Sequence, residues 1–255
     1  MLYGAKALRS GFIVETAGFR REKLPAEAVE IVESCGKSVE SADFLVLPPV
    51  TADESGGVPA PYGDGPLRPE MLLEGVRTDG IVFGGNDKGI VRRLCAERNL
   101  RYIDYINSIV LAEANAVPTA EGALKAALEE TGRTIWGSRV LVTGCGRIGT
   151  ALALRLRALG ADVTAAARRK ETRVRMEAMG LRAASLPLEE TLEGYDIVFN
   201  TVPEAIFSEK LLCTLRADSP LIELASKPGG AEPGAAEKSG CRYVWASGLP
   251  PDDLQ

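Results

Sequence analysis

The chain contains no histidine among its 255 residues. This absence excludes mechanisms that need a histidine general base, the Ser-His-Asp triad and metal sites with histidine ligands. Proton transfer must therefore use lysine, aspartate, glutamate, tyrosine, cysteine or water. The five cysteines are scattered and form no C-x-x-C pair, a pattern typical of reduced thiols in the cytoplasm, so we expect no bound metal.

Long apolar runs are also missing. No run approaches the ~20 residues that a membrane-spanning helix needs, and we expect no signal peptide. The formal net charge of −5 at pH 7 argues against a nucleic-acid interface. Apolar residues make up 45% of the chain and charged residues 25%, the proportions of a soluble globular protein. Together these features predict a cytoplasmic protein that binds neither nucleic acid nor membranes.

The segment that organises the chain is a strand, a glycine turn and a helix. Val140–Thr143 is an apolar run that predicts a buried parallel strand, and a helix-forming stretch without proline follows the turn. The turn is a G-x-G-x-x-G motif, in which the first glycine permits the tight turn, the second admits a pyrophosphate and the third lets helix and strand pack closely. The helix amides then face the phosphates. We expect the cofactor to bind at Gly144, Gly146, Arg147, Ile148 and Gly149; the alternative is a glycine-rich turn without a ligand.

The end of the next predicted strand indicates which dinucleotide binds. An NAD site usually has Asp or Glu about 20 residues past the glycines, where the carboxylate binds the ribose 2′-hydroxyl. Arg168 and Arg169 stand there instead. A carboxylate would repel a 2′-phosphate, whereas a guanidinium binds it with two parallel hydrogen bonds. The sequence therefore predicts NADP, with a solvated basic run as the alternative.

Two further loops follow predicted strands, and ligands of open α/β sheets bind at the carboxyl ends of strands. The first loop is expected to lie along the ribose and nicotinamide of the cofactor, and consists of Thr201, Val202 and Pro203. The second supplies a hydroxyl from Ser226 and an ammonium from Lys227, which we expect to contact the substrate. A solvated loop lysine is the alternative for Lys227.

The alternation of strands and helices predicts an α/β protein with a C-terminal Rossmann domain, residues 117–255, and a smaller N-terminal parallel α/β domain on the substrate side, residues 1–116. An interdomain helix is expected at 117–132, with Pro118 in its first turn. Thr119 and Glu121 would then lie near its N-terminal amides, where they orient an anionic substrate or take a proton.

The predicted elements follow from apolar runs and helix formers. In the first domain, strands are predicted at 12–14, 43–47, 80–83 and 100–105, and helices at 25–34, 69–76 and 88–98. In the second domain, strands are predicted at 139–143, 162–166, 181–184, 196–200, 220–223 and 242–245, and helices at 147–159, 171–179, 208–215 and 231–238.

These motifs together resemble a known family. The shared stretches are NAVPTAEG, TIWGSRVLVTGCGRIG, Ala-Arg-Arg after the second strand, NTVP, LASKPGG and GLP. In combination they resemble the A subunit of bacterial dipicolinate synthase, a sporulation NAD(P)-dependent oxidoreductase family, most strongly from residue 107 to residue 250. Relative to that family we expect the chain to be shortened at both ends.

The resemblance implies oxidation of a dihydrodipicolinate-like small dicarboxylate to dipicolinate with NADP. It also implies that the partner is a second, flavoprotein-like subunit, the B subunit of dipicolinate synthase. Homo-oligomerisation is a further option. Two alternatives stay open at this point. One is a nucleotide-binding regulatory subunit without chemistry of its own, because fold does not guarantee function. The other is a shikimate-dehydrogenase-like reductase.

Overall fold

The computed structural model describes residues 13, 18, 20, 22, 41–188 and 191–246. The chain forms two compact units that divide between Leu111 and Ala112. The predicted strand at 12–14, the predicted helix at 25–34 and the GLP loop lie outside the described residues, wholly or in part. The predicted domain limit after residue 116 stays a prediction.

The first unit contains a parallel sheet of three strands in the order β1-β2-β3. Its elements are β1 (Ala42–Val46), α1 (Pro69–Glu74), β2 (Val76–Gly84), α2 (Ile90–Glu97) and β3 (Arg101–Asp104). The helix predicted at 69–76 is shorter, because Gly75 caps α1 and Val76 begins β2. The core of this unit is apolar, with Leu73, Val82, Val91 and Cys95 at its centre.

The second unit contains six parallel strands in the order β6-β5-β4-β7-β8-β9. Its strands are β4 (Arg139–Thr143), β5 (Asp162–Ala167), β6 (Arg182–Ser185), β7 (Ile197–Asn200), β8 (Leu221–Glu223) and β9 (Tyr243–Trp245). Its helices are α3 (Ile109–Thr131), which begins three residues before the division between the units, α4 (Arg147–Ala158), α5 (Lys170–Ala178), α6 (Glu209–Leu212) and α7 (Ala235–Ser239). This Rossmann-like sheet, with the smaller parallel sheet of the first unit, confirms the predicted fold class.

Both faces of the larger sheet are covered, which is why its central strand is apolar without interruption. Val140 and Val142 of β4 face α3 and α4, whereas Leu141 between them faces the side of α6 and α7. All three side chains are fully buried. Burial of a side chain of this size stabilises the fold by about 1.5–3 kcal/mol.

Helix α3 begins earlier than the sequence predicts. It runs from Ile109 to Thr131 with Pro118 in its interior, so the expected helix start at Pro118 is wrong. An interior proline costs about 3 kcal/mol, because it removes one hydrogen bond and crowds the preceding turn. The helix nevertheless continues, since Ala120, Ala123 and Ala127 are fully buried in the core against β4 and α4.

Among the residues that the structure describes, no helix has the length and apolar character that crossing a lipid bilayer demands.

The strand order places the candidate loops at one edge. The sheet reverses its strand order between β4 and β7, and ligands of open α/β sheets bind outside the carboxyl ends at such a switch point. Since every pair of strands in this sheet is parallel, the loops after β5, β4, β7 and β8 follow one another along that edge.

Candidate functional site

The glycine turn after β4 has the geometry that its three glycines predict. Gly144 has a φ of +86°, and an added Cβ would overlap the hydroxyl of Thr201. A Cβ at Gly149 would overlap the carbonyl oxygen of Gly144, so only glycine allows α4 to approach β4 this closely. At Gly146, by contrast, no described atom lies within 4 Å of an added Cβ, and that side of the turn is open.

The open side coincides with the start of α4. Gly146 is the N-cap residue, and no hydrogen bond from a described side chain caps the helix. The first amides of a helix have no partner within it, and together with the helix dipole they favour an anion. Arg147, the first residue of α4, is half exposed, and its Nε lies 2.9 Å from Glu113 Oε1. Open space beside uncapped amides fits the pyrophosphate of a dinucleotide.

Cys145, inside the turn, has a structural role. Its side chain is buried, and burial raises the pKa of the thiol to about 11. The carbonyl oxygen of Cys145 accepts hydrogen bonds from Arg175 Nη2 at 3.0 Å and from Thr150 Oγ1 at 3.2 Å. These bonds hold the turn against α4 and α5, and the neutral thiol adds no negative charge to the turn.

The loop after β7 is joined directly to the glycine turn. The amide of Thr201 donates to the carbonyl of Thr143 at 2.9 Å. Its hydroxyl lies 3.0 Å from that oxygen and 3.1 Å from the carbonyl oxygen of Gly144. The structure therefore brings together the predicted cofactor residues of these two loops. Val202 is half-buried and Pro203 is exposed.

At the end of β5, Arg168 and Arg169 are both exposed. Arg168 Nη2 lies 2.9 Å from Glu204 Oε1, in the loop after β7. Arg173 Nη1 donates to the carbonyl oxygens of Ala167 at 3.0 Å and Arg168 at 2.6 Å, which fixes the turn that presents both arginines. Sequence reasoning missed both Glu204 and Arg173 as parts of the site. The continuation of the basic run along α5 was the available signal for Arg173.

The loop after β8 has an exposed tip on a buried base. Ser226 and Lys227 are exposed, whereas Gly229 and Gly230 are buried. A Cβ at Gly229, whose φ is +86°, would lie 2.8 Å from Cζ3 of Trp245, and a Cβ at Gly230 would overlap the side-chain amide of Asn200. The two glycines therefore let the loop base pack tightly while its polar tip faces solvent.

A buried polar cluster lies under this loop, and sequence reasoning missed it. Glu223, the last residue of β8, is fully buried, as is Asn200 at the end of β7. Asn200 Nδ2 donates to both carboxylate oxygens of Glu223, at 2.8 and 3.0 Å, and Thr143 Oγ1 donates to Asn200 Oδ1 at 2.6 Å. Tyr243 Oη on β9 donates to Glu223 Oε2 at 2.9 Å. The cluster joins the carboxyl ends of β4, β7 and β8 to β9.

Thr119 and Glu121 do not lie at a helix start. Both belong to the interior of α3, so the expectation that they stand beside free N-terminal amides is wrong. Thr119 is buried, and its hydroxyl donates to the carbonyl oxygen of Asn115 at 2.7 Å. The carboxylate of Glu121 lies 3.9 Å from Arg155 Nε on α4. Their proposed roles toward a substrate stay predictions without that helix-terminus support.

Along the edge, the residues fall in a definite order. Arg168 follows β5, the glycine turn follows β4, Thr201 follows β7 and Lys227 follows β8. Three strand spacings separate β5 from β8, which corresponds to about 14 Å. A dinucleotide along this edge would have its adenosine near Arg168 and its nicotinamide toward Lys227.

Two family models match the chain. A model of the N-terminal domain of the dipicolinate synthase A subunit matches residues 5–106. A second, described as "D-isomer specific 2-hydroxyacid dehydrogenase, NAD binding domain", matches residues 109–225, which include the glycine turn. The second match supports a dehydrogenase-type function with a nicotinamide dinucleotide as cofactor.

The proteins that are similar to this chain include dipicolinate synthase A subunits from two Bacillus species. The dipicolinate synthase A subunit of Bacillus subtilis (strain 168) is 33% identical over 217 residues, which are 83% of this chain and 72% of the relative. The crystal structure of the Bacillus halodurans A subunit superposes with a TM-score of 0.70 at 27% identity, covering 85% of this chain and 78% of that one. The crystal structure of the Bacillus subtilis A subunit gives a TM-score of 0.74 at 24% identity, covering 96% and 83%, a likeness of fold.

Proposed function

The chain belongs to the family of dipicolinate synthase A subunits, and we propose that it oxidises a dihydrodipicolinate-type dicarboxylate to pyridine-2,6-dicarboxylate with NADP⁺. The family and the NAD-binding domain make it a dehydrogenase-type oxidoreductase with a nicotinamide dinucleotide cofactor. The substrate, the 2′-phosphate preference and the partner are the proposal, as is a role in sporulation.

The observation that carries the preference for NADP⁺ is the exposed guanidinium of Arg168 at the end of β5, with Arg169 beside it. At this position an NAD-specific site has a carboxylate for the ribose hydroxyls. Arginine presents donors in a planar fork that matches a phosphate group. Arg173 donates hydrogen bonds to the backbone carbonyls of Ala167 and Arg168. These bonds fix the turn that carries the Arg168 side chain.

The remaining cofactor contacts come from the glycine turn and the loop after β7. The backbone from Gly146 to Gly149 would hold the pyrophosphate at the start of α4, and Arg147 would add a positive charge there. Thr201, Val202 and Pro203 would lie along the ribose and nicotinamide. When bound, NADP⁺ supplies the hydride acceptor.

The substrate is proposed to bind at the loop after β8. The ammonium of Lys227 and the hydroxyl of Ser226 are exposed at the loop tip and suit a substrate carboxylate. Oxidation removes one hydride and one proton from the dihydropyridine ring, which becomes aromatic. Because aromatisation drives the reaction, release of the proton to water suffices, and the absence of histidine is no obstacle.

We further propose that the partner is a second, flavoprotein-like protein, the B subunit of the synthase. The relatives that match this chain are named as one lettered component of a synthase, which supports an assembly with another component. This part of the proposal rests on the family alone.

The test is reconstitution of the reaction. Dihydrodipicolinate is generated in the assay by condensation of aspartate semialdehyde with pyruvate, which releases two water molecules, and the chain is added with NADP⁺ or NAD⁺, with and without the partner. We expect NADPH and pyridine-2,6-dicarboxylate to form in equal amounts. Binding of NADP⁺ without turnover in any reconstituted complex would favour a regulatory role, and NADPH oxidation by 3-dehydroshikimate would favour a shikimate-dehydrogenase-like reductase.

A further inference from the structure

We propose that Glu223 is a positioning residue, whose buried carboxylate fixes the backbone of residues 224–230 so that Ser226 and Lys227 meet the substrate. The inference deepens the proposed function and rests on its assignment of Lys227 to the substrate. Glu223 itself is fully buried and does not reach the exposed tip of the loop.

The carboxylate of Glu223 joins the two ends of the loop. Oε1 accepts a hydrogen bond from the amide of Ala225 at 2.9 Å, and Oε2 accepts one from the amide of Gly230 at 2.8 Å. The exposed tip lies between these two anchored amides. One rigid group therefore sets both where the loop leaves β8 and where it returns.

The hydrogen bonds around Glu223 also connect this loop to the loop after β7. The carbonyl oxygen of Gly230 accepts hydrogen bonds from the amides of Ile206 and Phe207, at 2.8 and 2.9 Å. Asn200 Nδ2, which also donates to Glu223, donates to the carbonyl of Val202 at 2.9 Å. The spacing between residues 201–203 and the tip of the loop after β8 is thus set by one hydrogen-bonded network.

Burial of this carboxylate is costly unless its oxygens are satisfied. The donors that the structure gives it are neutral: Asn200 Nδ2, Tyr243 Oη and the amides of Ala225 and Gly230. Burial, together with the nearby charge of Glu223, raises the pKa of Tyr243, so the phenol keeps its proton and donates a hydrogen bond to Glu223. An apolar residue at 223 would fill the core without anchoring the loop, which indicates that the carboxylate serves the loop.

The decisive variant is Glu223→Gln. It replaces one oxygen by an NH₂ group that faces donors, so at least one loop amide loses its acceptor. Amide hydrogen exchange at Ala225, at Gly230 or at both should accelerate by about tenfold or more, and affinity of the NADP⁺-loaded protein for pyridine-2,6-dicarboxylate should fall about tenfold. NADP⁺ affinity should change less than about threefold. Glu232→Gln, at an exposed glutamate beyond the loop, is the matched control and should change neither the amide exchange nor the dicarboxylate affinity.

A double variant separates positioning from general loss of stability. If Glu223 acts through Lys227, adding Lys227→Ala to Glu223→Gln should lower dicarboxylate affinity little further, whereas independent effects would add. Should Glu223→Gln fail to fold, Tyr243→Phe removes one donor and leaves the charge. Amide exchange should then accelerate by a smaller factor, and only within residues 224–230. Affinity for pyridine-2,6-dicarboxylate should likewise fall by a smaller factor.

Unchanged exchange at both loop amides, or additive effects of the two substitutions, would overturn the proposal. If the wild-type protein binds no pyridine-2,6-dicarboxylate, the proposed function fails. The exchange data then decide on their own whether Glu223 holds the loop.

Discussion

Arg168 Nη2 lies 2.9 Å from Glu204 Oε1, and this ion pair joins the end of β5 to the loop after β7. The two side chains are 64% and 57% exposed. An ion pair in such a position contributes about 0–1 kcal/mol, because water screens it. A phosphate, which accepts two parallel hydrogen bonds from a guanidinium, is a stronger partner, so in the proposed NADP⁺ complex Arg168 would exchange Glu204 for the 2′-phosphate.

Replacing Arg168 by Asp together with Arg169 by Ala should remove the preference for NADP⁺. A carboxylate at the end of β5 repels the 2′-phosphate and accepts from a free ribose hydroxyl. The Kd for NADP⁺ should rise by about tenfold or more, and that for NAD⁺ should change far less. Glu204→Gln, the companion variant, removes the competing carboxylate and should leave NADP⁺ affinity equal or tighter. A preference that persists in the double variant would remove Arg168 from the site.

Alanine substitutions at two glycines of the turn should have different consequences, a loss of stability at one and a loss of dinucleotide affinity at the other. Gly149→Ala forces a methyl group into the carbonyl of Gly144, and we expect a loss of about 1–3 kcal/mol in the free energy of unfolding. Gly146→Ala meets open space at a φ of −75°, so stability should stay within about 0.5 kcal/mol. Dinucleotide affinity should nevertheless fall about tenfold or more, because the methyl group occupies the pyrophosphate position.

Denaturant unfolding and calorimetric titration of the same two proteins measure both effects. The interpretation of the turn would be contradicted by a Gly146→Ala protein that binds dinucleotide as tightly as the wild type. A Gly149→Ala protein of full stability would contradict the packing argument.

The six-stranded sheet of the second unit was predictable because the sequence patterns that specify its strands are local. The apolar run of β4 and the spacing of the glycines specify strand, turn and helix within one short segment, and each of the six predicted strands is present to within one residue at either end. The bounds of the short helices were predicted less accurately. Gly234, with a φ of +73°, delays α7 to Ala235, whereas the sequence predicted a helix from 231.

The parts that the sequence could not predict depend on contacts between distant segments. Pro118 signals a helix start by local preference, but the burial of Ala120 and Ala123 extends α3 through it. The hydrogen bond between Tyr243 and Glu223 joins residues on two different strands. The ion pair between Arg168 and Glu204 joins residues in two different loops. No local pattern of residue types distinguishes a buried glutamate at a strand end from an exposed one.

Replacing Lys227 by Ala should affect turnover much more than cofactor binding. Since Lys227 is exposed at the loop tip, its removal should leave stability unchanged. Loss of a charged contact to a substrate carboxylate should lower kcat/KM by about 10- to 100-fold, with NADP⁺ affinity changed less than about threefold. Lys210→Ala, at an exposed lysine on α6, is the control. An unchanged kcat/KM would place Lys227 outside the substrate site.

The thiol of Cys145 should be unreactive near neutral pH. Burial raises its pKa to about 11, so the reactive thiolate is scarce at neutral pH and increases only as the pH rises toward that value. Iodoacetamide at about pH 8 should label the exposed Cys213 well before Cys145, as peptide mass spectrometry would show. Equal labelling of the two cysteines would contradict the buried position of Cys145 in the glycine turn.

The proposed NADP⁺ site, formed by the glycine turn and Arg168, is tested most directly by calorimetric titration of the wild-type protein with NADP⁺ and NAD⁺. We predict saturable binding of both, with NADP⁺ tighter by about tenfold or more because of the added phosphate contact. Equal or tighter binding of NAD⁺ would contradict the role of Arg168. Binding of neither dinucleotide would contradict the cofactor site itself.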